Sequence, residues 1–318
     1  MLGSPSPDAR TRRTAYLALA AAACLWGTGF PLGKIALEQM TVGEMVLYRF
    51  LFACIGLLPL LLRRRLTAPR SRDLPLFLAA GALYVPVQFL IQFEGLARTT
   101  VSHASLMVGM LPILLAVGAV TFTHERLDVV GWLTLFASTL GAALIVMGAG
   151  AAGRPAAGGA TLIGDLLVLV SLLAAVGWVL VSQRLMGDGG GYPPVIASVY
   201  VLVIGTALLA VWQLGRHGMP AVRFSATVWI AVAAQGLFAT ALTTVLWNRG
   251  LAQVAAARAG VFVNLEPVVG AILGVSLLGE TLGPMALAGG VLIVGSAVAF
   301  TVRGGARRRA SSSPVAEH

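Results

Sequence analysis

Gly95-Leu96-Ala97…Pro112…Glu125-Arg126-Leu127 returns 155 residues further along as Gly250-Leu251-Ala252…Pro267…Glu280-Thr281-Leu282. Aligning residues 95–127 with 250–282 gives 33 pairs without a gap, of which ten are identical, the proline and the last glutamate among them. Both copies lie in strongly apolar sequence, so the chain reads as a duplicated membrane unit. Duplicated bundles place their site where the two copies meet, as secondary transporters do.

Composition agrees with a bilayer as solvent. The 318 residues are 58% hydrophobic and 11% charged, with mean hydropathy +0.90, whereas soluble domains carry roughly a quarter charged residues. A span takes about 20 apolar residues. Ten stretches qualify: 15–34, 43–62, 75–96, 102–122, 129–147, 162–182, 193–214, 226–247, 257–278 and 284–302. They are too long and continuous for the alternating strands of a membrane barrel. Helices satisfy every backbone group internally, as lipid requires.

The expected fold is therefore an all-α integral membrane protein of ten transmembrane helices in two five-helix repeats. The expected division is a basic N-terminus 1–13, a first repeat 14–148, a Gly/Ala-rich linker 149–159, a second repeat 160–302 and a basic tail 303–318. Five spans per unit is an odd number, so the second copy enters the membrane from the opposite side. The repeats are then inverted, related by an axis in the membrane plane.

Two decoys are set aside. Arg10–Arg13 and the apolar run to Cys24 imitate a cleavable leader, but the run continues to Phe30 and reads as the first span. Gly148-Ala-Gly-Ala-Ala-Gly153 fits GxGxxG, yet it lacks the strand-turn-helix context of a dinucleotide fold and reads as an outer loop. Cys24 and Cys54 fall inside spans as small apolar residues.

The net charge of +10 excludes nucleic acid once its placement is followed. With the N-terminus inside, Arg10, Arg12, Arg13, Arg63–Arg65, Arg70, Arg72, Arg126, Arg184, Arg249, Arg258, Arg303 and Arg307–Arg309 face the cytoplasm. These are 16 of the 22 basic residues. Lys34, Arg98, Arg154, Arg216 and Arg223 face out, and Arg49 lies within a span. This positive-inside bias puts both termini in the cytoplasm. The expected partners are a small-molecule substrate, the bilayer, anionic lipid at the basic face, and a second copy of the chain as a candidate homodimer.

Polar side chains at lipid depth are costly and therefore informative. Tyr84, Gln88 and Gln92 recur at i, i+4, i+8 on helix 3; their mates 155 further on are Ala239, Thr243 and Trp247. Two such stripes line a path across the repeat axis or join helices by hydrogen bonds. Glu266, about 13 Å into helix 9 if that helix starts near Ala257, stands beside Asn264 and just before Pro267. It is a candidate for proton binding or for pairing with a cationic substrate; the alternative is a structural partner for Arg258 or Arg249. Glu94 and its mate Arg249 are gate candidates near the interfaces. Arg49 in helix 2 is expected to reach a carbonyl or carboxylate in the outer half, or else to serve in coupling or gating with Glu266 and Glu94.

Pro112 and Pro267 each remove a backbone donor and predict kinks in helices 4 and 9. Glu125 and Glu280 close those helices and are expected to orient the following turns through exposed backbone. Trp26, about eleven residues into helix 1, is too deep for an interfacial belt and joins Trp178 of helix 6 as a pocket wall or core. The four histidines, His103, His124, His217 and His318, read as loop and tail residues. No HExxH, GxSxG, CxxC or P-loop is present, so neither cofactor nor metal is expected.

Trp26-Gly-Thr-Gly-Phe-Pro-Leu-Gly-Lys34, Tyr48-Arg49-Phe50 and the doubled Gly-Leu-Ala…Pro…Glu-x-Leu unit resemble the EamA family of the drug/metabolite transporter superfamily. Asn264-Leu-Glu266-Pro267 with Gly279-Glu280 is similar to that family's second domain. The resemblance implies a ten-helix inverted-repeat carrier of the bacterial inner membrane, of a type that mostly exports small metabolites such as amino acids and in some members takes substrates up. It implies no fixed binding residues. The first repeat departs from the second at Leu111, which stands where Glu266 does, so a carboxylate at that depth is one-sided.

A carrier competes with a membrane-embedded enzyme, which needs clustered ionisable groups at one interface, and with a non-transporting sensor or partner subunit. Inversion itself is testable. In a chain lacking Cys24 and Cys54, single cysteines introduced as Glu125→Cys and Glu280→Cys are expected to react with an impermeant maleimide from opposite sides of the membrane; same-side labelling removes the inverted repeat.

Overall fold

Residues 9–63, 69–123, 129–151, 160–186, 191–251, 253 and 262–311 are described by a computed structural model of the chain. Among them every regular element is helical. The helices follow the ten apolar runs in order. α1 comprises Ala9–Gly27 and Gly29–Ala36, and α2 is Val42–Arg63. α3 runs through Leu74–Ala82, a π-helical turn Leu83–Phe89, and Leu90–Ala97. α4 is Val101–Val108 followed by Leu111–Thr123. α5 is Val129–Ala151, α6 Leu162–Met186 and α7 Pro194–His217. α8 comprises Ala226–Gly236, a second π-helical turn Leu237–Leu242, and Thr243–Leu251. α9 is Leu265–Leu278 and α10 Pro284–Ser311.

Six spans among these are long and apolar enough to cross a membrane: Arg13–Ala36, Val42–Pro59, Ser71–Ala97, Leu162–Met186, Pro194–His217 and Ala226–Leu251. The apolar helices Val101–Leu115, Val129–Ile145, Leu265–Leu278 and Pro284–Ala299 supply the rest of the pattern. Side chains such as Phe136, Ile163, Ile230, Leu287 and Val291 point outward, more than half exposed, as a lipid-facing surface requires. The chain is a multi-pass membrane protein.

The direction of the helices can be followed from contacts. Lys34 at the end of α1 donates to the carbonyls of Leu96 and Thr99 at the end of α3 (2.8 and 2.7 Å), so α1 and α3 run parallel. The end of α3 meets the start of α6 at Gly95 and Gly164. α6, the repeat mate of α1, therefore runs opposite to it. α1 and α8 are likewise antiparallel, Gly29–Ala36 lying on Ala226–Gly236 and Ala9–Gly27 on Thr243–Leu251.

Glycines set the closest approaches, and they come in repeat pairs. A Cβ on Gly95 would sit 2.8 Å from the Gly164 carbonyl oxygen and 2.9 Å from the Val168 nitrogen; its mate Gly250 lies against Leu19 of α1. Gly81 of α3 faces the backbone of α7 at Gly205 (2.9 Å), and its mate Gly236 of α8 faces the backbone of α2 at Arg49 and Ala53. Each mate thus meets the mate of the other's neighbour. Helices in lipid associate through such small-residue contacts.

Three local expectations change. The Tyr84/Gln88/Gln92 stripe assumes a continuous α-helix, but Pro86 has no N–H to give and α3 widens into a π turn there, which shifts the later residues around the axis. Pro112 and Pro267 accompany interruptions rather than bends: helical structure stops at Gly109–Met110 before the first and at Asn264 before the second. The run read as an outer loop from Gly148 begins inside α5, which continues to Ala151; α10 continues through the basic segment to Ser311.

The glycine contacts predict a graded result. Gly95→Ala and Gly236→Ala push methyl groups into neighbouring backbone and should destabilise by about 1–3 kcal/mol. Gly295→Ala, with nothing within 4 Å of the added methyl, should melt with the wild type in detergent. Equal melting of all three variants would refute the packing argument.

Candidate functional site

Three helix interruptions lie against one another. A Cβ on Gly27, where α1 breaks, would lie 2.9 Å from the Glu266 carbonyl oxygen and beside Val269 of α9. One on Gly109, where α4 breaks, would lie 3.4 Å from Pro267 Cγ. Asn264, buried, marks the break in α9 and precedes the Leu265–Leu278 segment, so Glu266 sits in a helical first turn. Sequence spacing counts it deeper into a helix from Ala257, but residues 254–261 lie outside the described residues. A carboxylate in a first turn is favoured by the exposed N–H groups there.

Aromatic rings from both repeats meet around these breaks. Trp26 of α1 packs on Trp247 of α8 with centroids 4.9 Å apart. Tyr84 of α3 packs on Trp178 of α6 at 4.6 Å. These are mirror pairings under the repeat relation, since α1 corresponds to α6 and α3 to α8. Tyr84 continues edge-to-face onto Phe89 and Phe50 (5.4 and 5.7 Å).

Arg49 is the charged centre of this group, 6% exposed. Its Nε donates to Thr240 Oγ1 at 3.1 Å, and its Cζ lies 4.4 Å from the Phe89 ring centroid, with Phe50 and Phe93 at 5.4 and 5.5 Å. The expected carbonyl or carboxylate partner is thus replaced by a hydroxyl and ring faces. Thr240 in turn donates to the Gln235 carbonyl five residues back (3.1 Å), across the π turn of α8. Glu266 and Tyr84 lie within electrostatic reach of the guanidinium. No carboxylate among the described residues approaches Arg49 within 4.0 Å.

Other residues singled out from sequence fall as follows. Gln88 and Gln92 are buried, and Gln88 Oε1 has no hydrogen-bond partner among the described residues; neither does Trp178 Nε1. Thr243 is fully buried and donates to the Thr240 carbonyl (2.8 Å). Glu94 pairs at 2.6 Å with Arg98 one turn along the same helix, both exposed, and Arg249 is exposed. Glu94 is engaged within α3 and not across the halves. Glu280 accepts from the N–H groups of Val101 and Ser102 (2.6 and 2.7 Å), serving the start of α4 instead of its own turn. Glu125 lies outside the described residues.

A second polar cluster escaped sequence reading. Asp165, fully buried near the start of α6, accepts from Thr99 Oγ1 and meets His103 Nδ1 at 3.0 Å. His103, read as a loop residue, lies in the first turn of α4 and is buried. Thr100 caps that turn by accepting from the His103 N–H. Thr161 donates through nitrogen and hydroxyl to the Arg98 carbonyl (3.1 and 2.6 Å). With Lys34 and Glu280, these bonds tie α1, α3, α4, α6 and α9 at one end of the bundle. The signal was available: Asp165 is a lone carboxylate in an apolar run. No group of three His, Cys, Asp or Glu able to hold a metal occurs among the described residues.

Inverted repeats, broken helices and polar groups at the seam define a transporter-type membrane bundle. Comparison with known proteins gives the family: the EamA-like transporter family model matches residues 13–147 and 162–302, and the chain belongs to that family, of the drug/metabolite transporter type. Among similar proteins, a probable terminal-alkyne amino-acid exporter of Streptantibioticus cattleyicolor is 26% identical over 94% of this chain and 97% of its own. The uncharacterized transporter YdfC of Bacillus subtilis is 26% identical over 87% of each. One crystal structure shares the fold, with TM-score 0.61 at 19% identity over 93% of this chain and 99% of that one. The chain is a transporter-family protein and not an enzyme.

The buried cluster yields a stability prediction. Asp165→Ala strands the Thr99 hydroxyl and His103 and should destabilise by about 1–3 kcal/mol, whereas Asp165→Asn retains an acceptor and should lose less. A melting midpoint of Asp165→Ala matching the wild type in detergent would count against the cluster's structural weight.

Proposed function

We propose that the chain is a secondary carrier that exports a small amino-acid-type metabolite by alternating exposure of a central site between its two inverted halves. One observation carries this reading: the ring pairs Trp26–Trp247 and Tyr84–Trp178, and the Arg49–Thr240 bond, each join one half to the other. Tilting 14–148 against 160–302 would therefore alter every one of these contacts together. The exporter from Streptantibioticus cattleyicolor, similar over nearly its full length, supports the substrate class and the direction.

Trp26, Tyr84, Gln88, Gln92, Trp178, Thr243, Trp247, Asn264 and Glu266 are the proposed lining. Glu266 is also the candidate coupling group, because a carboxyl flanked by apolar helices can trade a proton for a cation. The distribution of arginines supports a cytoplasmic position for both termini. The Lys34–Asp165–Glu280 end of the bundle then faces outward and is tied shut, with the central rings behind it.

Counterflow tests the carrier. Liposomes containing the protein and loaded with unlabelled amino acids are expected to accumulate the labelled form faster than protein-free liposomes. A pH gradient should change the net rate in the wild type and not in Glu266→Gln. Absence of counterflow for every amino acid tried would overturn the carrier reading for this class.

A further inference from the structure

The membrane interior holds a guanidinium whose hydrogen-bonding capacity is mostly unused. Arg49 carries five N–H donors in a planar fork. Its face is taken by the Phe89 ring and its Nε by Thr240. The terminal nitrogens have no hydrogen-bond partner among the described residues, the one bond of this side chain being that from Nε. A planar fork with a covered face and a free edge is suited to a carboxylate, which it meets through two parallel hydrogen bonds. No carboxylate of the described chain occupies that position.

The complementary group stands across the seam. Glu266 has neither a cation within 4.0 Å nor a hydrogen bond to its carboxylate among the described residues, and α1 joins its turn to Arg49: Gly27 lies against the Glu266 carbonyl, and Phe30 packs on Phe93 beside the guanidinium. Arg49 comes from the first repeat and Glu266 from the second. Gln88 Oε1 and Trp178 Nε1 add a buried acceptor and a buried donor without hydrogen-bond partners among the described residues. Buried polar groups in native proteins are satisfied, so each such group calls for a ligand or a changing partner.

Resting on the carrier reading, we propose that Arg49 and Glu266 grip opposite ends of a zwitterionic α-amino acid. The guanidinium edge receives the carboxylate and Glu266 receives the ammonium. The side chain lies against Trp26–Trp247 and Tyr84–Trp178, which favours apolar or unsaturated side chains over charged ones. The two-ended arrangement makes occupancy depend on both halves at once, and a ligand missing either end leaves one buried charge without a partner.

The test uses three related probes: 2-amino-4-pentynoic acid, its methyl ester, and 4-pentynoic acid. The first keeps both charged ends, the second lacks the carboxylate, and the third lacks the ammonium. Counterflow by the full chain in liposomes should favour the zwitterion over either analogue by about tenfold or more. Arg49→Gln should cut zwitterion transport about tenfold and leave the residual ester rate unchanged. Glu266→Gln should cut it similarly and leave the residual 4-pentynoate rate unchanged.

Arg49→Lys keeps a cation without the fork and should fall between wild type and Arg49→Gln. The shift in melting midpoint produced by each probe on each purified variant reports binding independently of turnover. If both variants slow all three probes equally, or neither variant changes the preference, Arg49 and Glu266 are structural and the proposal is overturned while the carrier stands. If the wild type carries no amino acid at all, the carrier reading itself fails.

Discussion

Helices surrounded by hydrocarbon gain nothing by hiding apolar surface from one another, so the bundle depends on how closely its backbones can approach. Gly81, Gly95, Gly236 and Gly250 supply that approach, and the inverted repeat uses each solution twice. Where backbones touch, no side chain fits between them. The large rings are thereby confined to the space between the tight points. Trp26, Tyr84, Trp178 and Trp247 gather there, around the interruptions in α1, α4 and α9.

The same confinement accounts for Arg49. A guanidinium stays charged under any condition a cell offers, and moving it into an apolar interior is expensive unless something replaces water. Three ring faces and one hydroxyl do part of this. The partial character of that solvation separates Arg49 from a structural ion pair such as Arg98–Glu94, which is exposed and local. Asp165, by contrast, is matched at both oxygens, by Thr99 and His103. Among the described residues Asp165 is thus a buried charge that is fully matched and Arg49 one that is only partly matched.

What the sequence made legible follows from how each feature is encoded. The spans and the duplication are written locally, in apolar runs and in a constant offset of 155 residues, and an odd span count implies inversion. Pro112 and Pro267 marked the broken helices. The π turns were hidden because one extra residue in a helix leaves little trace; Pro86 hinted at the first, and nothing in Leu237–Leu242 hinted at the second. Trp26 could be recognised as too deep for the membrane surface, though its pairing with Trp247 could not. Asp165 with His103, and Arg49 with Thr240, join residues 62 and 191 positions apart; only the folded arrangement of helices brings such partners together.

Glu280 gives the broken helices a shared fate. Its carboxylate follows the last turn of α9 yet holds the first two free N–H groups of α4, so the upper pieces of two discontinuous helices are clasped tip to tip. While the clasp lasts, neither piece can swing about its own break without carrying the other. Joints yoked in this way bend in concert, and a single side chain couples them.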